Sequence, residues 1–169
     1  MELNEKDFDD NFRCYYRPLC MFSLKIVNDI DQAEDIVQDA FVDLWQKRES
    51  LKDSSNIRAY LFAIVRNKST DYIKKISSIE VSYDISLIAE EEMEQTIEDS
   101  FEQARILTAI DNLPERCKNA LLLSKRDGLK YEEIAENMSV SVNTVRNHIS
   151  KALRLIKKST RKIYMFFIA

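Results

Sequence analysis

From Ser141 to Lys162 every charged residue is basic: Arg146, Lys151, Arg154, Lys157, Lys158, Arg161 and Lys162. Val142, Val145 and Ile149 recur among them at helical spacing. A helix here hides that apolar stripe and exposes Asn143, Arg146, Asn147, His148 and Lys151. Such side chains bond base edges and phosphates in a DNA groove, and a stripe with no acid favours a polyanion. Ser141 stands where an N-cap belongs, three residues before Thr144, so the unpaired N–H groups of the first turn are available to a phosphate.

Something must hold this helix at an angle to its neighbour. Ile134 and Ala135 fall on one face of a shorter helix, where the small Ala135 permits a close crossing, and Met138 and Val140 bury the turn. Tyr131 to Lys158 therefore reads as a helix-turn-helix. Ser139 occupies a turn position where Gly is common, and Lys130 stands where a capping Ser or Thr would help the first helix. Each such residue contributes roughly 1 kcal/mol, so neither departure is prohibitive.

A second constellation lies in a helix expected over Ile57 to Ile76. Tyr60, Leu61, Ile64, Val65 and Ile73 are core candidates, while Arg58, Phe62, Arg66, Asn67, Lys68, Tyr72, Lys74 and Lys75 interleave cations, aromatics and an amide. That mixture suits a single strand, which offers a phosphate and a stacking face at every nucleotide. A third helix, Gln32 to Lys47, has the most regular pattern. Ala33, Ile36, Val37, Ala40, Phe41 and Leu44 form one continuous core face, opposite a polar face of Glu34, Asp35, Gln38, Asp39 and Asp43.

The net charge of −4 over 169 residues conceals blocks of alternating sign. Residues 1–51 carry −6, residues 52–76 carry +4, residues 77–100 carry −8 with no basic residue, and residues 101–169 carry +6. Separate surfaces for separate partners follow from that division. One Gly and two Pro leave little turn chemistry for hairpins, so the expected fold is all-α. Two small helical domains are expected, residues 1–76 and 101–169, joined by an acidic linker, 77–100, extended or partly helical and too charged to form a core of its own. Within the first domain, Phe8, Phe12, Tyr15, Tyr16 and Leu19 suggest a helix that Pro18 kinks or restarts. In the second, an apolar helix starts near Phe101. Another begins at Asn112 and Pro114 and stops at Gly128, the only glycine.

Cys14, Cys20 and Cys117 are odd in number and lack metal-ligand spacing, and there is one His, which argues against a disulfide framework and a zinc site and fits a reducing cytoplasm. No stretch approaches the roughly 20 apolar residues of a membrane span, so no membrane insertion is expected. The apolar end, Ile163 to Ala169, is a candidate strip for packing or for a partner. No nucleotide-binding loop is present, so no cofactor and no catalysis are expected.

Taken in order, these segments resemble a sigma factor of bacterial RNA polymerase, of the extracytoplasmic-function (ECF) group of the sigma-70 family. AEDIVQDAFVDLW (33–45) is similar to the region 2.2 helix, NIRAYLFAIVRNKSTDYIKK (56–75) to regions 2.3 and 2.4, and LPERCKNALLLSKRDGLKYEEIAENMSVSVNTVRNHISKALR (113–154) to region 4. The TVRNHISKAL form resembles versions common in Bacteroidetes-type members. The resemblance implies that Asp35, Gln38, Asp39 and Trp45 dock on a coiled coil of the polymerase β′ subunit. It implies that Arg58, Phe62, Arg66, Asn67, Lys68 and Tyr72 bind the −10 element, with Asn67 of IVRN at the position that reads a flipped base. It further implies that Asn143, Thr144, Arg146, Asn147, His148 and Lys151 bind the −35 element while region 4 packs on the β flap. Arg66 replaces a small apolar residue common in the family, and His148 stands where Arg is frequent. The partners so implied are core RNA polymerase, promoter DNA and a sequestering anti-sigma factor.

Two other functions fit parts of the pattern. A stand-alone LuxR-like regulator would use the helix-turn-helix as a dimer, with residues 1–100 as sensor. A helical adaptor or sigma antagonist would bind protein only, leaving the basic stripe solvated.

Overall fold

The computed structural model describes residues 4–49, 57–76 and 90–160, and every regular element among them is a helix. Contacts divide the chain into two units, with the boundary between Gln103 and Ala104. The segment 77–89 of the expected linker, the loop at 50–56 and the apolar end at 163–169 lie outside the described residues.

In the first unit, α1 (Glu5–Val27) starts on a reciprocal cap: Asn4 Oδ1 accepts the Asp7 N–H at 2.9 Å, and Asp7 accepts the Asn4 N–H at 3.4 Å. Asn28 ends it in the left-handed region at φ +53, its N–H bonded to the Leu24 carbonyl at 2.9 Å. Of the kink or restart expected at Pro18, the restart does not occur, for α1 continues through it as one helix. Pro18 is itself buried, and so are Leu19, Cys20 and Phe22, so core packing offsets the lost backbone bond. Helix α2 (Ile30–Gln46) is capped by Asp29, whose Oδ1 accepts the Gln32 N–H at 3.0 Å. Its expected core face is buried in full.

Helix α3 (Ile57–Ile76) completes the bundle, each of the three helices packing on the other two. Leu61 and Val65 are fully buried, while Tyr60, Ile64 and Ile73 are partly so. Ser23 and Ser69, both wholly buried, share a hydroxyl hydrogen bond of 2.9 Å between α1 and α3. Two small side chains let the helices approach closely while each satisfies the other's polar group.

Helix α4 (Glu90–Asp111) crosses the boundary between the units. It begins eleven residues before the Phe101 start expected from sequence, within the acidic segment. The reason is an apolar stripe at every fourth residue, Met93, Ile97 and Phe101, packed against the core of the first unit. Further along, Ile106, Ala109 and Ile110 belong to the core of the second unit.

That second unit also comprises α5 (Glu115–Lys125), α6 (Tyr131–Met138) and α7 (Val142–Ser159). Pro114 precedes α5 as its cap residue, and Gly128, at φ +70, turns the chain after it. Ala120, Leu121, Ile134, Val145, Ala152 and Ile156 are its most deeply buried side chains. Helix α7 packs on both α5 and α6.

Candidate nucleic-acid interface

Helices α6 and α7 form the expected helix-turn-helix. Ser139 adopts the left-handed conformation at φ +53 that Gly would take without cost, and Val140 N–H reaches the Ala135 carbonyl at 2.9 Å to close the turn. Lys130 makes no side-chain cap bond, but the reciprocal bond of a capping box is present, a Glu133 carboxylate oxygen accepting the Lys130 N–H at 2.7 Å. At the start of α7, Ser141 Oγ accepts the Thr144 N–H at 3.1 Å and lies 2.8 Å from the Thr144 hydroxyl.

With Val145, Ile149, Ala152 and Ile156 buried, α7 exposes Asn143, Arg146, Asn147 and Lys151 as the sequence predicts. Arg154, absent from the predicted contact set, is exposed three residues beyond Lys151 and extends the stripe by about one turn. The helical spacing alone could have added it. Thr144 is half-buried and engaged by the cap. His148 departs from expectation: it is half-buried, with Nδ1 3.7 Å from Cys117 Sγ on α5, so one edge of the ring faces the core and not the groove.

The residues expected for the −10 element do not share one face of α3. Phe62 is 3% exposed and stands edge-on to Phe22 with ring centroids 5.2 Å apart, so its ring packs in the core and is not displayed for stacking a base. Arg58 points to α4: its Nη2 donates to Glu94 at 2.8 Å and to Glu98 at 2.7 Å, and its guanidinium carbon lies 5.3 Å from the Phe101 ring centroid. Lys68 points to α2, with Nζ 3.1 Å from Asp43 and 3.8 Å from Asp39. Tyr72 packs against the core. Asn67 is exposed, and half-exposed Arg66 lines a surface groove of about 480 Å³ with Arg58, Ala59, Ala63, Met93 and Glu94. The cations that looked like one surface are thus shared among three helices.

On α2, Asp35, Gln38 and Asp39 are exposed on one face. Val42, overlooked in sequence because it is apolar, is 53% exposed and follows Gln38 by four residues, in the middle of that acidic and amide surface. An uncovered β-branched residue three places past Asp39 was the available signal. Trp45 is half-buried, its ring centroid 5.1 Å from that of Phe8, and the Arg48 guanidinium lies 4.4 Å over it. Burial pushes the Tyr16 phenol above its ordinary pKa, opposed by a hydrogen bond with Gln38. Burial likewise pulls the Lys25 ammonium below its ordinary value, opposed by Asp99, and Lys25 Nζ donates to the Thr96 carbonyl at 3.4 Å.

Among the described residues, no group of three or more His, Cys, Asp or Glu could hold a metal ion, and no helix is long and apolar enough to cross a membrane.

Residues 12–79 match the family described as Sigma-70 region 2, and residues 103–156 that described as Sigma-70, region 4. ECF RNA polymerase sigma factor EcfG of Rhodopseudomonas palustris is 30% identical over 135 residues, covering 78% of this chain and 72% of that protein. RNA polymerase sigma factor SigV of Bacillus subtilis is 28% identical over 148 residues, 88% of this chain and 85% of that protein. A solved structure of the sigma factor RpoE in complex with the anti-sigma factor NepR, from Bartonella quintana, aligns with 90% of this chain and 96% of that one at 23% identity and a TM-score of 0.38. The two region matches fall on the two helical units, and the relatives extend across both. The chain therefore belongs to the extracytoplasmic-function group of the sigma-70 family, non-enzymatic factors that direct RNA polymerase to promoters.

Proposed function

We propose that this sigma factor holds a promoter at two points: α7 docks in the major groove of the −35 element, and α3, through Asn67 and Arg66, engages the separated −10 strand. Core polymerase docks on the α2 face of Asp35, Gln38, Asp39 and Val42, beside Trp45. The observation that carries this proposal is α7 itself. Its start is capped, its apolar stripe is buried, and Asn143, Arg146, Asn147 and Lys151 remain on the outside. A helix so presented can place amides and a guanidinium against base edges while its N-terminal N–H groups meet a phosphate. Asn67 is the exposed amide suited to the Watson–Crick edge of a flipped base.

The residue boundaries 1–76, 77–100 and 101–169 serve as functional divisions in this scheme, with the acidic segment between the two grips. A cytoplasmic site of action follows from the need for polymerase and promoter DNA. An anti-sigma factor holds the protein inactive until induction, as the family resemblance implies. The TVRNHISKAL segment supports a Bacteroidetes-type lineage.

Promoter-directed run-off transcription with purified core polymerase tests the whole scheme. The chain is expected to confer specific initiation, and Asn67→Ala to impair open-complex formation more than core binding. Failure to bind core, together with tight dimeric binding to duplex DNA, would instead identify a stand-alone regulator. Absence of any DNA affinity at low salt would identify a protein-only adaptor.

A further inference from the structure

The first half of α4 lies on the first unit with Glu94 and Glu98 against Arg58 of α3 and its apolar stripe in the core. One nitrogen of Arg58 donates to two carboxylates, Glu94 at 2.8 Å and Glu98 at 2.7 Å, four residues and one helical turn apart. Arg recognises carboxylate and phosphate with the same donors, so a guanidinium held by two carboxylates can instead take a phosphate of a nucleic-acid strand. Between the helices runs the groove of about 480 Å³, with Arg58 and Arg66 eight residues apart along it, about 12 Å of helical rise. Its floor contains Phe62, Met93 and Ile97, and the small side chains of Ala59 and Ala63 leave it open on the α3 side.

We propose that Glu94 and Glu98 are internal competitors of the DNA strand: in the free protein they occupy a phosphate site at Arg58, and a bound single strand takes their place along the α3–α4 groove. This rests on the assignment of α3 to the −10 strand and adds how access to it is regulated. The geometry suits a device that opens. The side chains of Glu94 and Glu98 are 60% and 59% exposed, so each pair is weak, screened by salt and exchangeable. The helix beneath them is anchored separately by Met93, Ile97 and Phe101, and Lys25 bonds the Thr96 carbonyl. The carboxylates can therefore leave Arg58 without the helix leaving the core. A strand brings a phosphate at every nucleotide, and so outcompetes two carboxylates once polymerase has positioned it.

Fluorescence anisotropy of the full-length protein with a labelled single-stranded oligonucleotide tests this at low salt. The paired change Glu94→Gln and Glu98→Gln is expected to tighten binding about 3- to 10-fold, the range into which two exposed ion pairs convert. Asp9→Asn with Asp10→Asn removes the same charge from exposed positions of α1 and should leave affinity nearly unchanged. In an Arg58→Ala background the glutamine pair should have no effect, because the site they guard is gone. Equal tightening by the α1 pair, persistence of the effect without Arg58, or no tightening at all would each overturn the proposal. Binding of holoenzyme to a pre-melted promoter, with and without Asn67→Ala, reports separately on whether α3 engages the strand, and retains its meaning if the glutamine pair does nothing.

Discussion

Ser141 stands at the one position where the stability of the helix-turn-helix and its grip on DNA can be separated by single substitutions. Its Oγ accepts the Thr144 N–H at 3.1 Å, so it satisfies one of the donors left over at the start of α7, while the N–H groups of Val142 and Asn143 have no intrahelical acceptor. Ser141→Ala removes the cap and should cost about 1 kcal/mol, a fall in melting temperature of about 4–8 °C for a unit of this size. Ser141→Asn and Ser141→Asp both restore a cap, and the aspartate adds a favourable charge at the helix N-terminus worth about 0.3–1 kcal/mol. In the DNA complex the sign reverses. A carboxylate about 5 Å from a phosphate is repelled by about 0.8 kcal/mol even at the dielectric of water, roughly a 4-fold loss, and it occupies N–H groups the phosphate would use. The assay pairs urea unfolding with anisotropy of holoenzyme on a −35 duplex at two salt concentrations. Asp should match or exceed Asn in stability, bind DNA several-fold more weakly, and lose most of that deficit at high salt. Equal DNA affinity of the Asp and Asn proteins would refute the placement of this helix end against a phosphate.

Four further outcomes follow from the same geometry. Arg146→Ala should weaken −35 recognition by about 1–3 kcal/mol in a sequence-dependent way, measured on matched and mismatched duplexes; an equal loss on every sequence would make it a backbone contact. Phe62→Ala should destabilise the first unit by about 3–5 kcal/mol in urea unfolding, whereas loss of strand binding at unchanged stability would contradict its burial against Phe22. Exposed Cys14 should react with a maleimide far faster than buried Cys20 and Cys117. Burial pushes the Cys20 thiol up to about 11 from an ordinary 9.0, so stability is full below pH 9 and falls as pH rises toward 11, because the unfolded chain loses that proton first.

The helix faces that bury apolar residues at regular spacing were legible in the sequence because local periodicity alone specifies them. Ala33 to Leu44 on α2 and Val145 to Ile156 on α7 are buried as their spacing requires. The Ser141 cap followed the same logic, since it acts within three residues of itself. Helix α4 was half-legible: the stripe of Met93, Ile97 and Phe101 is plain once found, but the surrounding acids suggested a segment unable to pack. Charge composition measures what a helix offers to water on all sides, whereas packing needs only one side.

The packing of the α3 side chains was illegible for a different reason, which is the range of the interactions involved. Arg58 is held from 36 and 40 residues away, Lys68 by α2, and Phe62 is covered by α1 and α4. No window of sequence around 57–76 contains those partners, so a helix rich in Arg, Lys and Phe looked like a free cationic surface. The half-burial of His148 was hidden on the same ground, its neighbour Cys117 being 31 residues distant. Among the predicted α3 contacts the structure leaves Asn67 and Arg66 open, the pair adjacent in the IVRN segment. Lys68, the next residue, is bonded to Asp43 and approaches Asp39, which belongs to the exposed acidic face of α2. The surface assigned to polymerase and the surface assigned to the strand therefore meet at one ion pair, so a charge change at Asp39 acts on both.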